Sequence, residues 1–211
     1  MKHGSLERLV TLTATACFLS GCTTSHTTRT YSDPSMGTKA IISMAILPVR
    51  NAPIAQAESI RMNRELAQTV QRKNPSLQIL GPVEAIEKLN EKNLVDDYDR
   101  YVVALAQSGI PNREILSRIG AALGVDALMQ GQLVGLAQKD GAPYSPASTV
   151  FVLRYSIVST KDGMLLWETS EEIRKKRQTI FSAPPPLEEV LPEAVQRVEQ
   201  SIPTFAFVNK R

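Results

Sequence analysis

The residue with the most distinctive chemistry is Cys22, which directly follows the small residues Ser20 and Gly21. Small side chains let an extended backbone enter the cleft of a signal peptidase, so the sequence predicts cleavage between Gly21 and Cys22. The thiol of Cys22 is the nucleophilic group of this segment. The other cysteine, Cys17, would leave with the leader, so no disulfide within the mature chain is expected.

The first 21 residues have the layout of a secretory leader. Lys2 and Arg8 give it a positive start, and the apolar stretch at 9–19 falls short of the ~20 residues that span a bilayer stably. With the run Leu19-Ser20-Gly21-Cys22, this segment resembles the lipobox of bacterial lipoproteins; the alternative is an ordinary secretory signal with an unrelated cysteine. The resemblance implies palmitate-type acyl chains on Cys22. By its resemblance to Gram-negative lipoproteins, in which aspartate after the cysteine favours inner-membrane retention, a chain with Thr23 there is expected on the periplasmic face of the outer membrane.

Few of the remaining residues could form a catalytic or metal site. His3 lies in the leader and His26 in a polar segment, so neither a Ser-His-Asp nor a Cys-His set is predicted, nor a zinc or iron site. The acidic cluster Asp96, Asp97 and Asp99 lacks the alternating ligands of a calcium loop, which favours a solvated helix start. The sequence therefore predicts a protein that is not an enzyme, with no cofactor, no metal and no small-molecule substrate.

The strongest charge feature is the basic run Arg174, Lys175, Lys176 and Arg177. It could meet lipid headgroups or an acidic partner. The favoured alternative is a strand end that is kept soluble by charge and guarded against edge pairing. The formal net charge of +3 and the aromatic content of 5% argue against nucleic acid as a partner.

The hydrophobic pattern predicts the elements of one domain over residues 40–211, after a flexible polar tether at 22–39 that carries the lipidated cysteine. A strand at 41–49, a helix at about 53–73 and a short strand at 77–80 come first. Three helical segments follow, of which the third runs between Asn112 as N-cap and Gly124 as C-cap. Tyr98 and Tyr101, in the second, are either core residues or interface anchors, and their helical spacing favours the core.

The second half of the domain reads mostly as strand. We predict strands at about 125–137, 150–159 and 164–174, with a tight turn at Lys161-Asp162-Gly163. A last amphipathic helix covers 187–202, and an apolar tail at 205–208 either packs back on the sheet or offers a docking strand. The order β-α-β-ααα-β-β-β-α predicts an α/β fold with a mixed sheet and helices packed over it.

Three stretches together resemble the TolB N-terminal-like domain: residues 45–49 (AILPV), 119–133 (IGAALGVDALMQGQL) and 159–167 (STKDGMLLW). Curli-secretion lipoproteins and lipoprotein activators of penicillin-binding proteins share that fold. The resemblance implies a membrane-anchored envelope lipoprotein that binds an envelope protein as a non-catalytic assembly or regulatory factor. The alternative is a homo-oligomeric subunit of a secretion or surface-organelle complex. The loop at 139–148 is too short to supply membrane-crossing strands, so a pore is not expected.

Overall fold

The computed structural model describes residues 22–37, 39, 41–50, 54–178 and 181–205. The predicted leader, including Gly21, and the end of the predicted tail, 206–208, lie outside these residues. No helix within the described ranges is long and apolar enough to span a membrane. The elements, in chain order, are β1 (Cys22–Ser32), a short 3-10 turn (Pro34–Gly37), β2 (Ser43–Arg50), α1 (Gln56–Lys73), β3 (Gln78–Leu80), α2 (Pro82–Glu91), α3 (Val95–Ser108), α4 (Arg113–Leu123), β4 (Ala127–Lys139), β5 (Ala147–Ser159), β6 (Leu165–Arg177) and α5 (Leu187–Ser201).

Six strands form one mixed sheet in the order β1-β6-β5-β4-β2-β3. β2 runs parallel to both β3 and β4, because each of these connections crosses over through helices. β4, β5 and β6 follow one another through short connections and are therefore antiparallel. The predicted α/β class with a mixed sheet is confirmed.

Helices cover both faces of the sheet, and each face has its own core. On one face, α1 and α5 pack against a cluster that includes Phe151, Tyr155 and Trp167. On the other face, α2, α3 and α4 enclose a second cluster that includes Tyr98 and Tyr101. β2 contributes alternate residues to the two clusters, which explains why its apolar run shows no alternation with polar residues.

The prediction of a flexible tether is wrong for residues 22–32, which form β1. All eleven residues pair antiparallel with β6, from Cys22 opposite Arg177 to Ser32 opposite Trp167. Every residue of β1 is exposed, so the strand gains little from apolar burial. Its backbone hydrogen bonds do not depend on side-chain polarity, and its five threonines have the β-branched shape that strands favour. His26 accordingly lies in this strand.

The predicted helix ends and the predicted turn are confirmed. Asn112 accepts a hydrogen bond from the backbone N–H of Ile115 at 3.1 Å, and Gly124 ends α4 with φ of 69°.

In the β5–β6 turn, burial raises the pKa of Asp162, and the hydrogen bond from Lys39 Nζ, 2.5 Å from Oδ2, opposes this. Further hydrogen bonds, from the Ser159 side chain and a backbone N–H, bring that pKa down to about 2.

Candidate functional site

The predicted lipid-attachment residue, Cys22, is an exposed free cysteine at the first position of β1. The register places it opposite Arg177, the last residue of β6. The next three residues of β1 lie opposite the rest of the basic run, ending with Ser25 opposite Arg174. The fold therefore brings together the two features that the sequence singled out, although they lie far apart in the chain.

The basic run does not guard a sheet edge, because β6 is an inner strand between β5 and β1. Lys175 and Arg177 reach α5, where both contact the carboxylate of Glu189, at 3.4 and 2.5 Å respectively. Residues alternate along a strand, so Arg174 and Lys176 project from the opposite face of the sheet. Arg174 lies 3.6 Å from Glu172, and among the described residues Lys176 has no ion pair. Two residues of the run are thus paired with α5, and the other two lie on the opposite face of the sheet.

Two aromatic side chains that no sequence pattern marked project at the same end of the sheet. Tyr144 lies in the connection from β4 to β5, and Phe181 follows the end of β6. Tyr144 is fully exposed, and Phe181 is 76% exposed. A hydrogen bond of 2.9 Å from Gly141 N to Ser182 O joins the two segments. This end of the sheet therefore presents a cysteine, basic side chains and two exposed aromatic rings.

A buried carboxylate holds β1 to the sheet below this end. Glu171 of β6 is fully buried and accepts a hydrogen bond of 2.6 Å from the Thr28 hydroxyl of β1. Thr169 donates a second hydrogen bond to the other carboxylate oxygen of Glu171, at 3.1 Å. These contacts add side-chain support to the backbone pairing, so the strand that carries Cys22 is fixed along its length.

The remaining candidates behave as structural residues. Asp97, in the first turn of α3, is only 6% exposed and binds both Arg100 and Arg118. The prediction of a solvated helix start is therefore wrong for Asp97 but is confirmed for Asp96 and Asp99, which are exposed. Tyr98 and Tyr101 are buried, as favoured from their spacing. Within the described ranges, no group of three or more His, Cys, Asp or Glu residues could hold a metal ion.

An apolar groove of about 520 Å³ lies between α1 and α2, on the far side of β2 from the long antiparallel strands. Ile54 and Ile60 line one wall, and Val83 and Ile86 line the other. The lining of the groove is mainly aliphatic and brings no reactive side chains together.

No protein-family model and no curated protein matches the sequence. Among solved structures, the fold is similar to a PelC dodecamer from Paraburkholderia phytofirmans, with 8% identity and a TM-score of 0.45 over 86% of this chain and 99% of that chain. It is also similar to lipoprotein GNA1162 from Neisseria meningitidis, with 15% identity and a TM-score of 0.40 over 75% of this chain and 99% of that one. The hypothetical protein CT253 from Chlamydia trachomatis gives 13% identity and a TM-score of 0.40, over 76% and 96% of the two chains. Likenesses this distant do not indicate a shared function.

Proposed function

We propose that this protein is a bacterial envelope lipoprotein. The leader is removed between Gly21 and Cys22, acyl chains are attached to Cys22, and the α/β domain is held on the periplasmic face of the outer membrane. The observation that carries the proposal is the position of Cys22, exposed at the free start of β1 with the basic run beside it. Acyl chains on this thiol would leave the domain without displacing any packed side chain.

The domain works by binding an envelope protein, as a non-catalytic assembly or regulatory factor with a TolB N-terminal-like fold. The contacts between the three resembling stretches support this assignment. A Cβ atom at Gly131 would lie 2.6 Å from Val49, and one at Gly120 would overlap the side chain of Thr160. The first pair joins the stretches at 45–49 and 119–133, and the second joins 119–133 to 159–167. The resemblance thus concerns one packed unit in which two glycines allow close approach.

Lipidation is tested by expressing the full chain with a clickable palmitate analogue in a Gram-negative host. We expect the wild type and the control variant Cys17→Ser to carry the label on a mature chain that begins at Cys22. The variant Cys22→Ser should lose the label. An uncleaved Cys22→Ser precursor can still stay in the inner membrane through its leader, so membrane association alone does not decide the test. The deciding measurements are the acyl label and the precise mass of the chain, and separation of the inner and outer membranes is the second measurement. Equal labelling of Cys22→Ser would refute the proposal.

The alternative, a homo-oligomeric subunit of a secretion or surface-organelle complex, has a separate test. Mild crosslinking in intact cells, followed by purification of the lipoprotein, should yield a defined adduct with a different protein if the main proposal holds. A ladder at multiples of the mass of this chain would favour the alternative.

A further inference from the structure

We infer that the Cys22 end of the sheet is itself a membrane-contacting surface, on which Tyr144 and Phe181 enter the interfacial layer of the bilayer. The neighbouring basic residues then face anionic headgroups. The inference rests on the proposed lipidation of Cys22 and adds a second, non-covalent contact that fixes how the domain lies on the membrane.

The strand register places all of these groups at one end of the sheet. One row of paired residues crosses four strands, from Thr23 of β1 through Lys176 and Ser148 to Lys139 of β4. The β4–β5 connection that holds Tyr144 extends beyond this row. Three strand spacings of ~4.8 Å separate β1 from β4, so the loop lies about 14 Å from the anchored strand, measured across the sheet. Acyl chains entering a bilayer from Cys22 would bring that loop to the same surface.

The backbone at both aromatic residues adds independent support. Tyr144 has φ of 71° and Phe181 has φ of 55°, in the left-handed region that favours glycine. Tyr144 occupies the third position of a turn that is closed by hydrogen bonds of 2.8 and 3.0 Å between Ala142 and Ser145. A fully exposed ring gains nothing from packing that could offset this conformation. Residues held in sparsely populated backbone conformations cluster at functional sites.

The residue types at the Cys22 end of the sheet are those that favour the interfacial layer of a bilayer. Tyrosine is enriched at the membrane–water interface, and phenylalanine is common on the membrane-facing side of interfacial helices. Residues 139–148 and 174–177 together hold five basic side chains and one acidic one. Glu189 pairs with Lys175 and Arg177, and Glu172 lies 3.6 Å from Arg174. Among the described residues, Lys139 and Lys176 are therefore the basic side chains of this end that have no ion pair and can meet anionic lipid.

The test uses the full, lipidated chain with a single added thiol, because Cys22 is then blocked by its acyl group. Variants Tyr144→Cys, Phe181→Cys and the control Lys161→Cys are labelled with an environment-sensitive fluorophore. They are then reconstituted in phosphatidylethanolamine–phosphatidylglycerol vesicles with a nitroxide lipid. Lys161 is exposed in the turn at the opposite end of β5. We expect quenching at least threefold stronger at 144 and 181 than at 161, with a blue shift at the first two positions only.

Equal quenching at all three positions on a chain that carries its acyl groups would overturn this inference and leave the proposed lipidation intact. A purified chain without acyl groups would overturn both. A blue shift of the fluorophores at 144 and 181 that appears in whole envelopes but not in pure lipid vesicles would show that a protein partner covers this surface. That result would overturn the assignment to lipid.

Discussion

Replacing Gly131 by alanine should destabilise the domain by about 2 kcal/mol, because β4 has no room for a side chain at this position. The added Cβ would lie 2.5 Å from Tyr155 Cζ and 2.6 Å from Val49 Cγ2, where ordinary contacts are 3.4 Å or more. Both neighbours must therefore move by about 1 Å. The Tyr155 ring is fully buried, and its hydroxyl donates to Asn63 Oδ1 at 3.0 Å, so it cannot swing away freely. Overpacking of this kind costs ~1–3 kcal/mol.

Gly135→Ala is the matched control in the same strand, since its Cβ would meet Val152 at 3.5 Å, an ordinary contact. Thermal unfolding and urea unfolding, followed by circular dichroism and by the fluorescence of Trp167, measure both variants. We expect the melting temperature of Gly131→Ala to fall by about 4–8 °C. Gly135→Ala should stay within about 0.5 kcal/mol of wild type. Adding Val49→Ala should recover part of the Gly131→Ala loss, and a double mutant that is simply additive would contradict this explanation.

Three further predictions concern polar contacts. Asn112→Ala removes the N-cap of α4 and should cost ~1 kcal/mol, with Asn112→Ser restoring most of it in the same unfolding assay. Tyr155→Phe should cost ~1–2 kcal/mol because it leaves Asn63 Oδ1 buried without its donor, and an unchanged midpoint would rule out that bond. The pKa of Asp162 is lowered, so the contribution of this carboxylate to the free energy of unfolding is present above about pH 4 and is lost as the pH falls towards 2. Because the Asp162 side chain is 41% exposed, solvent screening limits this contribution to under ~1 kcal/mol. In Lys39→Gln, the free energy of unfolding should therefore fall less steeply between pH 4 and 2, as measured by urea unfolding at each pH.

The order of elements from β2 to α5 follows from local signals in the sequence. The apolar run of β2 and the striped helices have patterns set by burial, and Asn112, Gly124 and the Lys161-Asp162-Gly163 turn have preferences set by backbone geometry. The parallel placement of β2 beside β4 then follows from the helical crossovers. These features depend on each segment and its immediate surroundings, so they can be predicted without knowing distant contacts.

The features that escaped prediction depend on distant pairing. β1 is exposed along its whole length, so no hydrophobic periodicity marks it, and only its threonine content could have indicated a strand. The burial of Glu171 follows from that missed strand, which supplies Thr28 as its partner. Tyr144 and Phe181 lie in irregular segments whose convergence with Cys22 becomes visible only through the sheet register.

The pairing of β1 from its first residue sets how far the anchored domain could reach. A flexible segment of about 17 residues would allow an r.m.s. span of about 23 Å, over which the domain could search for a partner away from the bilayer. A strand that is hydrogen-bonded from Cys22 onward gives almost no such slack. The length of the thirteen-residue β5 then sets the reach instead, with its far turn about 43 Å from the anchored end. A lipidated chain with this structure would hold its domain at a nearly constant distance from the bilayer. A binding partner would then have to present its surface within about 43 Å of the anchored end.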